Sequence, residues 1–344
     1  MSGKSETFKS LLGIVASGAT LSADQARQAF DIMMSGDATP SQMGGLLLAL
    51  RTRGETVDEI TGAATTMRAK ATAIKAPSGA MDIVGTGGDK SGSYNISTCT
   101  ALVVAGCGVK VAKHGNRAAT SQSGAADVLS ELGVNLDADF SLLEKALAKA
   151  GICFMMAQRH HGAMRNVMAT RIELGTPTIF NILGPLSNPA GVKFLLVGTY
   201  LKKWVTPMAE TLGALGVERA WVVHGSDGLD ELTITGASTI CEIHNGQINH
   251  FELSPGDAGL PIGRAEDLKG GDAAFNAAAI RALLDGAAGA YRDIVLFGAA
   301  AALRIAGKAD DLRDGVAMAA HAIDGGDARR ALDTLVAVTN EATS

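Results

Sequence analysis

Residues 1–75 carry helix signals throughout and show no alternation of apolar and polar residues. Capping-box sequences predict two helix starts, one opening Ser22–Met34 and the other opening Thr56–Ala71. Pro40 stands at the first position of a third predicted helix, where its missing N–H costs nothing. The segment is therefore predicted to be a small helical unit whose apolar faces need a partner to bury against.

The pattern changes after Pro77-Ser78-Gly79, where short apolar runs begin to alternate with helical segments. The predicted strands are Met81–Val84, Val109–Ala112, Ile152–Met156, Phe194–Gly198 and Ala220–Val223. The predicted helices are Ile96–Ala105, Ala125–Leu132, Leu142–Ala150 and Trp204–Leu215. Alternation of this kind indicates an α/β domain with a largely parallel sheet.

The last third of the chain is predicted to form a β-hairpin followed by helices. Asn245-Gly246 stands between the apolar runs Ile240–Ile243 and Ile248–Leu253 and predicts a β-hairpin. The Ala-rich stretch from Ala274 onward predicts helices. The predicted fold class is α/β: a small all-helical N-terminal domain over residues 1–78, then a large α/β domain whose mostly parallel central sheet is flanked by helices.

Composition narrows the class of protein. Of 344 residues, 47% are hydrophobic and 19% charged, so disorder is not expected. The net charge of −5 gives no general electrostatic footprint for nucleic acid. The sequence has no uninterrupted apolar run of about 18 residues, and its polar start lacks the core of a signal peptide, so no membrane span is predicted. The four cysteines include no CxxC pair, and free thiols in a reducing, cytoplasmic setting are expected.

The segment Asp82–Thr98, DIVGTGGDKSGSYNIST, is the first candidate site. It joins a predicted strand to a predicted helix, and ligands of α/β sheets bind at the carboxyl ends of strands. Its glycines let the backbone approach an anion, and the free N–H groups of a helix start favour phosphate. A Rossmann fingerprint would need glycine at Lys90, and a GxxxxGK[ST] loop is absent. Alone, the segment also fits a plain glycine-rich turn.

A second loop, Lys113–Arg117, follows the predicted strand Val109–Ala112 and leads into the hydroxyl-rich residues Thr120–Gly124. Two cations and several hydroxyls beside the first loop suit a phosphate and a pyrophosphate. For each cation alone, a solvated surface charge is the simpler interpretation. His114 fits either a catalytic group or a packed loop histidine, and the sequence leaves both open.

A third loop, His224–Glu231, holds three carboxylates in five residues after another predicted strand. The pair Asp230-Glu231 suits a magnesium ion bound to pyrophosphate, because Mg²⁺ often uses one or two carboxylates together with water and substrate phosphate. An acidic surface turn is the alternative. A substrate carboxylate could be held by Arg165 or Arg171, and the sequence does not choose between them.

Seven motifs, in this order along the chain, resemble those of the anthranilate phosphoribosyltransferase family. They are GTGGD at Gly85–Asp89, NIST at Asn95–Thr98, KHGNR at Lys113–Arg117, SGAAD at Ser123–Asp127, RIELG at Arg171–Gly175, TIFNILGPLSNP at Thr178–Pro189 and GLDE at Gly228–Glu231. The combination is specific, whereas no single motif is. The resemblance implies transfer of the phosphoribosyl group of 5-phosphoribosyl diphosphate (PRPP) to anthranilate, the second step of tryptophan biosynthesis.

The resemblance also implies a set of site residues. Those assigned to substrates are Gly85, Gly88, Asp89, Ser93, Asn95, Ile96, Ser97, Thr98, Lys113, His114, Gly115, Asn116, Arg117, Ala118, Ala119, Thr120, Ser121 and Arg171. Of these, Gly85, Asn116 and Arg171 would contact anthranilate. PRPP would be contacted by Gly88, Asp89, Ser93, Asn95, Ser97, Thr98 and Lys113–Ser121, which include Asn116. Magnesium, as two ions with bound PRPP, would be held by Ser97, Asp230 and Glu231.

The family resemblance further implies how the chain is divided and assembled. Residues near 172–192 would complete the helical domain, which leaves 79–171 and 193–344 for the α/β domain. Two copies would form a homodimer through the helical domain. No nucleic acid or membrane partner is expected.

The sequence departs from the family pattern at a few positions. Ala125 stands where many members have serine, Ile172 and Pro177 where many have arginine, and Gly162 where proline is common. These departures do not change the phosphate and metal motifs. They concern the path by which anthranilate would enter.

Two other classes of protein are alternatives. A pyrimidine nucleoside phosphorylase has a related fold, but phosphorolysis needs no diphosphate-bound metal, so the acidic pair and the KHGNR motif argue against it. A nucleic-acid-binding relative would need a strongly basic face, which the net charge of −5 disfavours.

Overall fold

The computed structural model describes residues 3–118 and 122–342. Its first four helices are α1 (Gly3–Ala16), α2 (Ala23–Met34), α3 (Pro40–Arg53) and α4 (Val57–Ala69). The side chains of Ser22 and Thr56 each accept the backbone N–H three residues on, and the side chain there accepts the N–H of the cap in return. Both predicted capping boxes are therefore confirmed, and α3 begins at Pro40 as predicted.

Helices α2 and α4 approach each other closely at Gly62. A Cβ atom on Gly62 would lie 2.3 Å from the carbonyl oxygen of Ala23, so a larger residue would force the helices apart. Phe30, Leu47 and Ile60 are fully buried among these helices. Each such side chain contributes about 1.5–3 kcal/mol of burial free energy, so the helical unit has its own apolar core.

Seven strands form one sheet within the described residues. They are β1 (Met81–Gly85), β2 (Val111–Gly115), β3 (Ile152–Met156), β4 (Phe194–Gly198), β5 (Arg219–Gly225), β6 (Ser238–His244) and β7 (Gln247–Leu253). The order is β3-β2-β1-β4-β5-β6-β7, with the first five parallel and β6 and β7 antiparallel. The predicted α/β class with a mostly parallel sheet is confirmed. The loops after β1, β2 and β5 meet at one edge of the sheet, where ligands of such folds bind.

The prediction for the second strand was wrong in its bounds. β2 runs from Val111 to Gly115, not from Val109 to Ala112, so Lys113 and His114 lie in the strand and not in a loop. The apolar pattern failed here because both polar side chains find buried partners inside the protein.

The predicted hairpin is confirmed between β6 and β7. Asn245 and Gly246 have φ values of 50° and 79°, and a type I′ turn requires positive φ at both central residues. This is why the Asn-Gly pair identified the turn from the sequence.

The remaining helices follow the strands and end the chain. They are α5 (Ile96–Gly106), α6 (Ala125–Glu131), α7 (Phe140–Lys149), α8 (Ala157–His160), α9 (Arg165–Leu174), α10 (Phe180–Leu183), α11 (Val205–Ala214), α12 (Ala273–Leu284), α13 (Ala290–Ile305), α14 (Leu312–Asp324) and α15 (Asp327–Thr339). α5, α7, α11 and α13 pack on the sheet, whereas α9 and α10 contact helices of the N-terminal unit. The exact domain boundaries stay a prediction. Within the described ranges, no helix has the length and apolar character needed to cross a membrane.

Candidate active site

The loop after β1 has a backbone shape that favours glycine. Gly87, Gly88, Lys90 and Gly92 have φ values of 66°, 79°, 59° and 64°. Residues with a side chain rarely adopt positive φ values. This explains why three of these four positions are glycine. Gly87 and Gly88 are exposed, which leaves the backbone open to a ligand.

Helix α5 begins directly after this loop and brings several predicted residues together. The backbone N–H of Ser97 donates to Glu231 Oε1 at 3.0 Å. The Asn95 side chain donates to the carbonyl of Ser123 at 3.3 Å and accepts from the Ser123 hydroxyl at 3.1 Å, which ties the first loop to the second. Thr98 and Ile96 are buried, so the Ile96 side chain belongs to the core and can offer a ligand only its backbone.

Asp230 lies across the ends of β1 and β4. Its Oδ2 atom accepts the N–H of Gly87 at 2.7 Å. Gly85 and Gly198 are neighbours in the sheet register. A Cβ on Gly85 would lie 2.3 Å from Asp230 Oδ2, and a Cβ on Gly198 would lie 1.6 Å from the Asp230 carbonyl oxygen. Two glycines therefore make room for the acidic loop.

Asp230 and Glu231, called here the acidic pair, are carboxylates removed from water. Burial, followed by repulsion from the adjacent Asp89 carboxyl, raises the pKa of Asp230 to about 7. Burial likewise raises the pKa of Glu231 to about 8, with repulsion from Asp230 adding to the effect and Lys113 opposing it. The acidic pair is thus prepared to exchange protons for a cation near neutral pH.

The donors around the acidic pair suit magnesium. Ser97, Asp230 and Glu231 offer oxygen atoms, which Mg²⁺ prefers. Over residues 3–118 and 122–342, no three His, Cys, Asp or Glu side chains are grouped so as to hold a metal ion by themselves. A site of this kind fits an ion that completes its shell with water and substrate phosphate.

Lys113 provides a positive charge behind the acidic pair. Its Nζ donates to the carbonyl of Ile83 at 2.6 Å and to Ser97 Oγ at 3.4 Å. Burial lowers the pKa of Lys113, and the carboxylates of Asp82 and the acidic pair oppose that change. The amine is therefore held inside the sheet beneath the loops and is not a solvated surface charge.

The second loop is closed by Asp127 on α6. Asp127 Oδ2 accepts the N–H groups of Ala118 and Gly124 at 2.9 and 3.0 Å. Arg117 is paired with the same carboxylate, Nη1 to Oδ1 at 3.0 Å, so its guanidinium is already engaged. Asn116 is exposed beside it. The predicted contacts Ala119, Thr120 and Ser121 lie outside the described residues.

A buried, uncharged pocket adjoins this edge and is called here the histidine pocket: His114, His161, Gly184 and Ser187. His114 Nδ1 donates to the Gly184 carbonyl at 3.2 Å, and the His114 and His161 ring centroids are 5.1 Å apart. Burial lowers the pKa of His114 to about 3 and that of His161 to about 4. His114 Nε2 and Ser187 Oγ are buried with no hydrogen-bond partner in the structure.

Most buried polar groups in proteins are hydrogen-bonded to protein or to ordered water, and His114 Nε2 shares its state with buried groups elsewhere in the fold, such as Thr100 Oγ1 and Trp204 Nε1. Since His114 is neutral at physiological pH and its imidazolium has a pKa of about 3, it is a weak base. The structure therefore favours a packed or ligand-contacting role for His114 over catalysis by proton transfer.

Arg171 is better placed than Arg165 to hold a substrate carboxylate. Both lie on α9, but Arg165 is exposed at its start. The Arg171 guanidinium lies over the Phe180 ring, 5.2 Å from the ring centroid, and burial lowers its pKa. A partly buried guanidinium beside an aromatic ring suits a flat, acidic ligand.

The departures from the family pattern have different surroundings. Ile172 is 72% exposed, so an arginine there would point into solvent. The carbonyl of Pro177 accepts a bond from Arg51. Ala125 lies under Gly115, where a Cβ on that glycine would come within 3.4 Å of the Ala125 Cβ. Nothing in the structure requires or forbids proline at Gly162.

Asp82 is a site residue that the sequence did not single out. It is fully buried, and burial raises its pKa to about 6. Its Oδ1 accepts the His114 N–H at 3.1 Å, and its Oδ2 accepts from Asn188 Nδ2 at 2.7 Å. Asp82 thus supports both Lys113 and the histidine pocket. The sequence feature that could have identified Asp82 is an acidic residue within the apolar run of β1.

Known proteins share this fold and sequence pattern. The model of the glycosyl transferase family a/b domain matches residues 78–329, and that of the glycosyl transferase family helical bundle domain matches residues 9–71. Together these matches place the chain in the class of glycosyltransferases that join a helical bundle domain to an α/β domain.

Individual relatives narrow this class. The chain is 60% identical over 331 residues to an anthranilate phosphoribosyltransferase of Rhodospirillum rubrum, a match that covers 96% of this chain and 95% of the relative. The structure of the Thermus thermophilus enzyme of that name superposes with a TM-score of 0.92 at 40% identity, over 96% of this chain and 99% of the other. The Saccharomyces cerevisiae enzyme in complex with PRPP and Mg gives 0.88 at 27% identity, over 97% and 98%. The chain belongs to the anthranilate phosphoribosyltransferase family.

Proposed function

We propose that this chain transfers the 5-phosphoribosyl group of PRPP to the amino group of anthranilate. The products would be N-(5-phosphoribosyl)anthranilate and diphosphate, the second step of tryptophan biosynthesis from chorismate. One observation supports this most: the acidic pair bonds both to the glycine-rich loop, at Gly87, and to the start of α5, at Ser97. Carboxylates and anion-binding backbone thus form one constellation. The yeast relative has been solved with PRPP and Mg and with 4-fluoroanthranilate.

Ser97, Asp230 and Glu231 would hold magnesium, as two ions when PRPP is bound. The raised pKa values of the acidic pair support this, because two desolvated carboxylates need a counter-charge beyond Lys113. Magnesium would supply charge stabilisation for the departing diphosphate.

The glycine-rich loop and the start of α5 would bind the diphosphate. Their backbone N–H groups and the helix dipole favour anionic oxygens. As the bond from the ribose carbon to diphosphate breaks, diphosphate leaves with the bonding electron pair, the anthranilate nitrogen bonds to that carbon, and one of its N–H protons passes to water. An aromatic amine is neutral at pH 7, so no strong base is required and the main task of the residues is positioning.

The acceptor would lie between Arg171 and the histidine pocket, with Gly85 and Asn116 at its edge. Arg171 would pair with the carboxylate of anthranilate. The uncharged pocket would offer its free polar atoms, His114 Nε2 and Ser187 Oγ, to a flat ligand.

Assembly and location are part of the proposal. Two copies would associate through the helical unit, where Leu48 on α3 is exposed, together with α9, which packs on α3 and exposes Met168 and Ile172. Light scattering should then give about twice the chain mass of 35.1 kDa. A reducing compartment such as the cytoplasm fits the four free thiols.

The decisive experiment mixes purified protein with anthranilate, PRPP and Mg²⁺ and follows anthranilate fluorescence. A loss of fluorescence that needs both PRPP and Mg²⁺ supports the proposal. No PRPP-dependent loss would refute it. Phosphate-dependent release of thymine from thymidine by the same preparation would instead favour a nucleoside phosphorylase.

A further inference from the structure

The glycine-rich loop Gly87–Asn95 is braced from outside by residues 268–276, called here the brace segment. The N–H of Gly270 donates to the carbonyl of Gly92 at 2.9 Å. The Tyr94 N–H donates to the carbonyl of Leu268 at 3.1 Å. The brace segment comes from a part of the chain far from every residue assigned to substrates or metal.

The fit between brace and loop is tight. Ser93 and Lys269 form an antiparallel β-bridge. A Cβ on Gly270 would lie 2.6 Å from the Ser93 carbonyl oxygen and 2.7 Å from Asn276 Oδ1, so this position has room only for glycine. Backbone bonds and close packing together fix the outer side of the loop.

Asn276 connects the brace segment to the start of α5. It lies in the first turns of α12 and is fully buried. Its Nδ2 donates to Asn95 Oδ1 at 2.9 Å, and its Oδ1 accepts the N–H of Gly271 at 2.9 Å. Asn95 Oδ1 also accepts from the Ser123 hydroxyl. The Asn95 side chain therefore connects the brace segment, the end of the glycine-rich loop and the second loop.

An aromatic stack supports the same contact. The Tyr94 ring lies between Tyr291, with centroids 4.3 Å apart, and Phe275, with centroids 6.0 Å apart. The Tyr291 hydroxyl donates to the carbonyl of Asn95 at 3.3 Å. Tyr94 and Asn95, the last two residues before α5, are therefore held by side chains from two C-terminal helices.

We propose that Asn276 is a positioning residue for PRPP: through Asn95 it holds the glycine-rich loop and the start of α5 in the arrangement that binds the diphosphate. A loop with several glycines loses much backbone freedom when it is ordered, and a loop fixed beforehand avoids that cost on binding. Asn276 touches no substrate in this scheme and acts through Asn95. This inference rests on the proposed function.

The test compares wild type, Asn276→Ala, Asn276→Asp and a surface control, Asn340→Ala, in the fluorescence assay. Asn340 makes a similar amide-to-carbonyl bond, Nδ2 to Gly133 at 2.9 Å, away from the site. Asn276→Ala removes the bond that holds Asn95 to the brace segment and leaves the Gly271 N–H without its acceptor. The KM for PRPP should then rise about tenfold, with the KM for anthranilate within about twofold. Asn276→Asp keeps the shape and the Gly271 bond but sets a carboxylate oxygen against Asn95 Oδ1, so it should be impaired as strongly.

A second readout does not depend on turnover. Amide hydrogen exchange in residues 88–95 of the ligand-free protein should be faster in Asn276→Ala than in wild type and unchanged in Asn340→Ala. An unchanged KM for PRPP, equal changes in both KM values, or unchanged exchange in residues 88–95 would overturn the positioning role. If the wild type itself shows no PRPP-dependent turnover, the proposed function fails instead, and the exchange result still decides whether Asn276 fixes the loop.

Discussion

The two sides of the site differ in charge and in how fully their polar groups are bonded. On one side, the acidic pair accepts backbone N–H groups from Gly87 and Ser97 at 2.7 and 3.0 Å, and its pKa values are raised. On the other, the histidine pocket is neutral, and His114 Nε2 and Ser187 Oγ lack partners.

The difference assigns a task to each side. Under the proposed function, the first side would hold metal-bound diphosphate, because desolvated carboxylates are costly until a cation joins them. The second side has no charged group among its histidines and would hold the flat acceptor. Catalysis would then depend on leaving-group stabilisation at one side and on positioning at the other.

The largest effect is expected from Asp230→Asn. The amide can still accept the Gly87 N–H, but half the charge of the acidic pair is lost, so kcat/KM should fall about 100-fold and the Mg²⁺ requirement should rise. Asp227→Asn is the control within the same acidic loop, since Asp227 accepts from the hydroxyls of Thr233 and Thr235 at 2.6 and 2.7 Å and from the Leu229 N–H at 3.3 Å, and not from the glycine-rich loop. Magnesium titrations of both variants check this. Similar behaviour of the two would remove the special role of the acidic pair.

The next effect is on pH dependence. With pKa values of about 7 and 8, the metal-free acidic pair holds protons at lower pH that a cation must displace. Because both protons must be displaced, magnesium affinity should rise with pH through that window, roughly 100-fold from about pH 6.5 to about pH 8.5, and then level off. Calorimetry in buffers of different ionisation enthalpy would report the released protons. A flat affinity with no proton release would contradict the raised pKa values.

On the acceptor side, Arg171→Ala should raise the KM for anthranilate about tenfold, because a charge-assisted bond to its carboxylate is lost. The KM for PRPP should stay the same. Arg165→Ala, at the exposed end of the same helix, is the control and should change neither value. Steady-state kinetics with each substrate varied would show whether the two sides are separable. An equal rise of both KM values would show that they are not.

The smallest effect is expected from His114→Asn, which keeps a donor for the Gly184 carbonyl. General acid–base groups contribute factors of about 100 or more, so a rate loss below about tenfold would fit a non-catalytic neutral ring. The ratio of variant to wild-type rate should be constant between about pH 6 and pH 9, because the pKa of His114, about 3, lies far below that range. A ratio that changes with an inflection near pH 6.5 would assign proton transfer to His114.

Local chemistry explains what the sequence predicted well. Capping boxes at Ser22 and Thr56, the Asn245-Gly246 turn and the glycine-rich loop after β1 are each determined by residues within a few positions of one another. The strand–loop–helix order and the motifs then placed the predicted site residues at one edge of the sheet.

Long-range contacts explain what the sequence did not show. Lys113 can be buried inside β2 because its amine bonds to the carbonyl of Ile83 on another strand. The sequence shows no sign of this bond, so the predicted strand stopped at Ala112. The bond between Asn95 and Asn276 joins residues 181 positions apart. Gly198 is needed only because the loop at Asp230 crosses above it. None of these relations leaves a local pattern.

The most direct measurement of the division between the two sides is the stoichiometry of the reaction with Mg²⁺ present. Anthranilate consumption and diphosphate release are followed together, with and without each substrate. We expect one diphosphate per anthranilate consumed, and negligible release when anthranilate is omitted. Diphosphate release that is independent of anthranilate, or anthranilate left unchanged while PRPP is consumed, would contradict a phosphoribosyl transfer organised by these two sides.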